Sequence, residues 1–377
     1  MLKSRLDAVI DQAIGEERIV GTVVLVAEDG RIVYRRAAGF ADRENGVHVR
    51  EDTVFRFASL TKPIVSVAAL ALIEQGKLRL DTPVSELIPW FRPKLADGRE
   101  PVITVRHLMT HTSGLSYGFM ELPDSDFHRA GVSDGLDQPG LAVEENLRRI
   151  VSVPLNQEPG RRWIYSVATD VLGEVIARSA SQPLPDLVEG LVTDPLGLRD
   201  TSFSVADGVR LATPYGDADP RPVPMEDPHR MPFGRSAVLY SPARAFDANS
   251  FPSGGGGMVG TAPDFLVFLE ALRTGGAPLL KPESVEALTT NAIGDLKVHA
   301  VGPGWGFGLG VAVLKDPELA ETPQSAGTWK WGGAYGHSWF VDPVRRLSVV
   351  ALTNTAVAGM TGPFPDAIRD AVYSLPQ

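Results

Sequence analysis

"FASLTKPIVSVAALALIEQGKL", residues 57–78, sets a serine and a lysine three positions apart at the head of an otherwise apolar segment. The run predicts a helix over 59–75 that stops at Gly76, where a left-handed residue can close the last turn. In its first turn Ser59 and Lys62 share a face and can touch. A serine hydroxyl is a poor nucleophile until a neighbour takes its proton. An amine can do so when burial, nearby cations or the positive end of a helix loosen its own hold on protons. The plain reading competes: Ser59 caps the helix, Lys62 faces water, and S-x-x-K occurs by chance in many chains. The pair needs company from elsewhere.

Composition narrows the field. The chain has 377 residues, 44% of them hydrophobic, enough for a large core and more than one domain. Acidic residues outnumber basic ones by 46 to 36 and the basic ones are scattered, which argues against a nucleic-acid partner. The absence of cysteine removes disulfides, thiolate nucleophiles and cysteine zinc sites together. No segment approaches the roughly 18 unbroken apolar residues of a membrane span. The charged start, with Lys3, Arg5, Asp7 and Asp11, lacks an apolar run of signal-peptide length, so the expected location is cytoplasmic.

Around the quoted stretch the chain divides by pattern. Leu2, Leu6, Val9, Ile10 and Ala13 recur at helical spacing. "GTVVLVAEDGRIVYRRAAG" then predicts a hairpin turning at Asp29-Gly30. Near the C-terminus "GWGFGLGVAVL", "TWKWGGAYGHSWFVD" and "RLSVVALTNT" read as three strands of an antiparallel meander, followed by a helix in "PFPDAIRDAVYSL". Pairing the early hairpin with the late meander makes one discontinuous α/β (α+β) domain, residues 1–87 and 256–377, with both terminal helices on one face. Residues 88–255 are then a mainly helical insertion. Its long stretches 116–140 and 204–256 are expected to be walls or lids of a site.

Two further elements supply the company. Tyr165, in "GRRWIYSVATDVLGEVI", stands just before a predicted helix, where its phenol can face a cleft. In "WKWGGAYGHSWFVDP", Gly332 and Gly333 sit within a strand, a position that marks close approach of a ligand or another backbone. An edge strand there could offer free N–H groups to an oxyanion. Three other signals are weaker. "GLSYG" (114–118) fits G-x-S-x-G with His337 downstream, but a helix precedes it and a loop follows, the reverse of what that motif needs. His107 and His111 are four apart without a third metal ligand in view. "SGGGGMVGTAPDF" lacks the lysine of a phosphate loop, and Thr261 reads as a helix cap with Asp264 three residues on.

The ordered set "SLTK", "HLMTHTSGL", "YSV", "WGG" and "FVDP" resembles the serine β-lactamase and penicillin-binding superfamily, and within it the class C-like family VIII carboxylesterases. The resemblance spans nearly the whole chain and implies a β-lactamase/transpeptidase-like fold: an antiparallel sheet flanked by helices, plus a helical domain. It implies that Ser59 is acylated, that Lys62 and Tyr165 move its proton, and that the N–H groups of Ser59 and Ala334 form the oxyanion hole. It calls for no cofactor and no metal, and for a small-molecule ester as partner. Trp331, Gly332, Gly333 and Val167 are the expected substrate contacts. Two of these depart from the class C pattern. Val167 replaces an asparagine that would hold a β-lactam amide, and Trp331 replaces a lysine that would attract its carboxylate. Both changes favour neutral, short-chain or bulky esters over β-lactams. A β-lactamase or D-alanyl peptidase, and a non-catalytic binding relative, are the alternatives.

Overall fold

Asp29 and Gly30 take φ values of +53° and +77°, the consecutive left-handed pair that a two-residue hairpin turn requires. The β-branched runs beside them pair as β1 (Gly21–Glu28) and β2 (Arg31–Asp42), with a short β3 (Val47–His48) beyond. The computed structural model describes residues 2–205 and 210–374; part of the expected wall at 204–256, residues 206–209, lies outside them.

The C-terminal third contributes β4 (Trp305–Phe307), β5 (Ala312–Leu314), β6 (Trp329–Gly333), β7 (His337–Asp342) and β8 (Leu347–Thr353). Together they form one antiparallel sheet in the order β4-β5-β6-β7-β8-β1-β2-β3. The two ends of the chain meet where β8 pairs β1, with Val24 opposite Ala351. The meander has five strands where three were expected. The first two apolar runs each fold back on themselves at glycines with positive φ, Gly310 at +122° and Gly336 at +111°, positions no other residue adopts readily.

All seven residues of β8 are buried, because helices cover both faces of the sheet. On one side lie the terminal helices α1 (Leu2–Gly15) and the C-terminal α5 (Pro363–Tyr373), with Leu6, Ile10 and Ile368 packed on Val24 and Val349. On the other lie α2 (Thr61–Glu74) and α4 (Ala262–Arg273), with Phe265 and Leu269 against Leu25 and Val350. Each fully buried aliphatic or aromatic side chain contributes about 1.5–3 kcal/mol. Helix α4 starts where expected, Thr261 accepting from the Asp264 N–H.

Helix α2 is the pivot. Every residue from Thr61 to Leu72 is buried, so it is a central helix, apolar all round rather than amphipathic. It ends as Gly76 suggests: Lys77 N–H reaches the Leu72 carbonyl and Gly76 N–H the Ile73 carbonyl, each at 3.0 Å, with Gly76 at φ +71°. Against it packs α3 (Ala168–Ala180), the main helix of the 88–255 segment. That segment also holds an unanticipated hairpin, His229–Phe233 with Ser236–Tyr240, turning at Gly234. One apolar core runs unbroken from the sheet through α2 into Leu147, Ile150 and Val175. The division at 87/88 and 255/256 therefore stays a proposal about chain organisation.

Candidate active site

A one-turn 3-10 helix, Ala58–Leu60, leads into α2 and carries Ser59. No side chain caps the start of either helix, so Ser59 is not a cap. Ala58 before it holds a left-handed φ of +46°, a conformation that costs a residue with a Cβ on the order of 1 kcal/mol and persists where the surroundings enforce it. Lys62 is 1% exposed, which rules out the reading of a solvated surface lysine.

The three residues expected from the sequence meet at one atom. Tyr165 Oη lies 2.6 Å from Ser59 Oγ, and Lys62 Nζ lies 3.1 Å from the same oxygen. Lys62 also donates to the Gly255 carbonyl at 2.6 Å. A partner that sequence reasoning missed completes the chain: Trp331 Nε1–H donates to Tyr165 Oη at 3.2 Å. Trp331 had been read only as a substrate wall, and nothing local in the sequence says where its indole N–H points.

Aromatic rings dry this cluster. Tyr117, His111, Trp163 and Trp331 sit with ring centroids 4.9, 5.0, 6.1 and 5.2 Å from Tyr165. Lys62 Nζ lies 4.7 Å from the Tyr165 centroid and 5.2 Å from that of Tyr117, within cation–π range. Burial, with help from the Lys62 charge, holds His111 well below the ordinary imidazole range, so it is neutral at pH 7. It packs tilted against Tyr165 and edge-on to Trp163 and Phe307, and shares a 3.3 Å contact with Ser166. His107 instead closes a capping box with Thr104. Among the described residues no group of three or more His, Asp or Glu could hold a metal.

Behind Lys62 lies a buried acid that the sequence reading left without a role. Asp170 Oδ1 accepts from Ser253 Oγ at 2.5 Å and from the Gly255 N–H at 3.3 Å, so it anchors the glycine whose carbonyl holds the lysine. Burial pushes its carboxyl up against the opposing pull of the Ser253 hydrogen bond and the Lys62 charge. The glycine run 254–257 is thus the wall of the lysine pocket. A Cβ on Gly255 would stand 2.6 Å from Asp170 Oδ2 and 2.8 Å from Tyr117 Oη.

Strand β6 is pressed against the turn that carries Ser59. A Cβ on Gly333 would fall 2.4 Å from the Phe57 carbonyl oxygen, which only glycine avoids. Strand β5 pairs with Trp329 and Lys330 alone, so Trp331 to Gly333 face the cleft without a strand on that side. Ser59, Tyr165, Trp331, Gly332 and Ala334 all line a cavity of about 720 Å³. Two expected substrate contacts do not. Val167 is fully buried in the core cluster below the site, because the last loop residue before α3 turns its apolar side chain inward. Gly333 serves the close approach to Phe57 rather than the cavity wall.

The G-x-S-x-G arrangement is dismantled. Ser116 is 1% exposed, and its hydroxyl donates to the Tyr117 carbonyl at 3.4 Å. His337 spends both ring nitrogens on backbone, at the Arg56 carbonyl (2.7 Å) and the Thr353 N–H (3.3 Å), and burial pushes it down to about 4. Tyr117, next to Ser116, does line the cleft.

This geometry can be set beside known proteins. The β-lactamase family model matches residues 6–372. The chain belongs to the β-lactamase family. It is 51% identical over 376 residues to a protein named Esterase EstB from Burkholderia gladioli, covering 99% of this chain and 95% of that one. The solved structure of EstCE1, described as a hydrolase with promiscuous acyltransferase activity, superposes with a TM-score of 0.95 at 47% identity, over 99% of this chain and 98% of that one. An octameric penicillin-binding protein homologue from Pyrococcus abyssi shares the fold, with a TM-score of 0.74 at 22% identity over 98% of this chain and 76% of that one. The α+β architecture expected from the sequence is therefore the fold of this β-lactamase-family protein. No helix among the described residues is long and apolar enough to cross a membrane.

Proposed function

We propose that this β-lactamase-family protein is a serine carboxylesterase that cleaves neutral esters through an acyl-enzyme on Ser59. The observation that carries the reading is the convergence of Tyr165 Oη and Lys62 Nζ on Ser59 Oγ, at 2.6 and 3.1 Å. Trp331 Nε1–H can only donate, so Tyr165 Oη accepts from it, which fixes the phenol oxygen beside Ser59 Oγ.

The reaction calls for Lys62 and Tyr165 between them to offer one vacant proton site. Ser59 Oγ bonds to the ester carbonyl carbon while its proton fills that vacancy. The N–H groups of Ser59 and Ala334 would take the developing oxyanion. As the tetrahedral centre collapses, the bond to the alcohol oxygen breaks and the stored proton goes to that oxygen. The alcohol departs, and a water enters and gives a proton to the same pair as its oxygen attacks the acyl carbon. Ser59 Oγ leaves with the proton, and the carboxylic acid is released.

The wall beside the ester is apolar, with Trp331, Phe119 and Tyr240 lining it. Burying an uncharged chain there is worth about 25 cal/mol per Å². Trp331 supplies no cation next to the reacting carbonyl, which is the support for ranking neutral esters above β-lactams. The relatives' names, an esterase and a hydrolase with acyltransferase activity, agree with this ranking. A cytoplasmic location is the companion proposal, open to cell fractionation.

The test is a rate comparison between 4-nitrophenyl butyrate and nitrocefin, with fluorophosphonate labelling in parallel. The ester is expected to be the better substrate. Ser59→Ala should lose the label and on the order of 10⁴ or more in kcat, and Tyr165→Phe and Lys62→Met should each lose most activity. Faster nitrocefin opening, or no adduct on Ser59 in folded protein, would reverse the reading.

A further inference from the structure

The cavity that opens at Ser59 does not end there. It passes Gly332 and Met360 and continues to Lys330, Gln324 and Arg369. Lys330 precedes Trp331 on β6, so the two side chains leave opposite faces of the strand. The gap beside the unpaired Trp331–Gly333 segment lets the cavity round the strand from one face to the other. At the bend Met360 packs directly on Gly332, where a Cβ would stand 2.8 Å from Met360 Cγ, and both residues line the cavity.

Beyond the bend lie two donors without an acceptor oxygen among the described residues, Lys330 Nζ and Gln324 Nε2. Lys330 Nζ rests 4.3 Å from the Trp305 ring centroid and makes no ion pair among the described residues. Arg369, beside it, is already matched by Asp366 at 3.1 Å and Asp370 at 2.8 Å. Burial, then the Arg369 charge, push the Lys330 ammonium down to about 8, with Asp366 offsetting in part, so it is still mainly charged at neutral pH. Gln324 is 3% exposed and lines the same arm. Its Oε1 is bonded to Thr322 Oγ1 at 3.1 Å, while its buried Nε2 has no partner. A buried donor left unmatched costs about 1–3 kcal/mol.

We infer that this arm is a subsite for a carboxylate at the far end of one of the ester's two chains, received by the Lys330 ammonium and the Gln324 amide. The inference rests on Ser59 as the acylated residue and deepens that reading, because the ester group stays in its neutral surroundings while only the tail is charged. Lys330 and Ala334, the first turn residue after β6, are four positions apart on backbone that is extended as far as Gly333, at most about 13 Å, so the chain between ester and carboxylate spans roughly eight to ten bonds. The lysine missing beside the reacting carbonyl has a counterpart one residue earlier, facing the other way, which selects a remote carboxylate over one adjacent to the scissile bond.

The experiment measures binding apart from turnover. Ser59→Ala protein is titrated by calorimetry with ethyl hydrogen sebacate, whose carboxylate is on the acyl side, and with 8-acetoxyoctanoate, whose carboxylate is on the alcohol side, each with nine bonds between ester carbonyl and carboxylate carbons. Each is paired with its neutral methyl ester. At least one acid should bind tenfold or more tightly than its methyl ester, and Lys330→Met on the same background should abolish that preference while Lys330→Arg retains part of it. Equal affinity of acid and methyl ester in both pairs, or a preference that survives Lys330→Met, would overturn the inference. If Lys330→Met does not fold, the acid-to-ester ratio in the Ser59→Ala protein decides alone. Turnover of 4-nitrophenyl acetate by the unaltered enzyme reports separately on Ser59, so its failure with the binding preference intact would strike the esterase reading and not the subsite.

Discussion

The two ends of the cavity differ in how their polar groups are satisfied. At Ser59 the reacting groups hold one another: the hydroxyl meets a phenol and an amine, the amine also meets the Gly255 carbonyl, and the phenol meets the Trp331 N–H. At Lys330 a charged amine has an aromatic ring and, among the described residues, no carboxylate within ion-pair distance, and the Gln324 amide nitrogen has no partner there. The first arrangement suits chemistry, where groups already aligned need no reorganisation in the transition state. The second suits recognition, where a ligand supplies what the protein lacks.

If the Ser59 end is preorganised, small displacements there should be costly, and the largest effect is expected from Gly333→Ala. The added Cβ would meet the Phe57 carbonyl oxygen at 2.4 Å, and since both are backbone, strand and nucleophile turn must part. A shift near 1 Å is enough to lower kcat on the order of 10²-fold, with the circular dichroism spectrum unchanged. Retained kcat would mean that the approach of β6 to Ser59 is packing without catalytic consequence.

Next comes Val167→Asn, which restores the class C residue in name. The side chain is fully buried, so the carboxamide enters the core rather than the cleft and should destabilise the fold by about 2–3 kcal/mol. Thermal unfolding measures the loss, and nitrocefin turnover should not rise. A smaller effect falls on Trp331→Phe, which keeps the ring and removes the N–H on Tyr165. Losing one such donor, about 1.4 kcal/mol, lowers kcat roughly tenfold with little change in KM. An unchanged kcat would return Trp331 to the role of wall.

The smallest effect sharpens the comparison through pH. Asp134 lines the cavity and accepts from the Gly118 and Phe119 N–H groups at 2.7 and 3.1 Å. Burial, then the charge of Asp137, push its carboxyl from the ordinary 3.8 up to about 8. Between those values the folded state holds a proton that the unfolded chain has released, so stability falls as pH rises through the window. His337, pushed from 6.5 down to about 4, acts in the opposite sense but only below 6.5. From about pH 6.5 to 8 the Asp134 effect should therefore show as a falling Tm, worth at most about 1 kcal/mol per pH unit because the cavity admits water. Asp134→Asn should flatten that slope, and an unaltered slope would remove Asp134 as its source.

Much of this architecture is legible in residue order where the cause is local. The hairpin at Asp29-Gly30 needs two left-handed residues, and the sequence offers a pair that tolerates them. Gly76 closes α2 for the same reason. The five-strand meander was miscounted because Gly310 and Gly336 lie inside apolar runs, where a turn and a continuing strand have the same composition. The hairpin at 229–240 escapes the sequence pattern because its first strand carries a proline and charges and the pair forms its own small sheet rather than joining the main one. Val167 was assigned to the cleft by analogy of position, but one rotation of the backbone before α3 decides whether a side chain faces cavity or core.

From the chain alone comes the one relation a helix enforces by itself: Ser59 and Lys62 on a shared face, three residues apart, ahead of an apolar helix. That Tyr165, 106 residues away, brings its phenol to the same oxygen is the work of tertiary packing. So are the indole N–H of Trp331 on that phenol, the Gly255 carbonyl beneath the lysine, and the cavity that brings Lys330 and Ser59 onto one continuous wall. Helical periodicity is set by backbone geometry within a few residues, whereas the orientation of a side chain in a cleft depends on how α2, α3 and β6 press together around a common core.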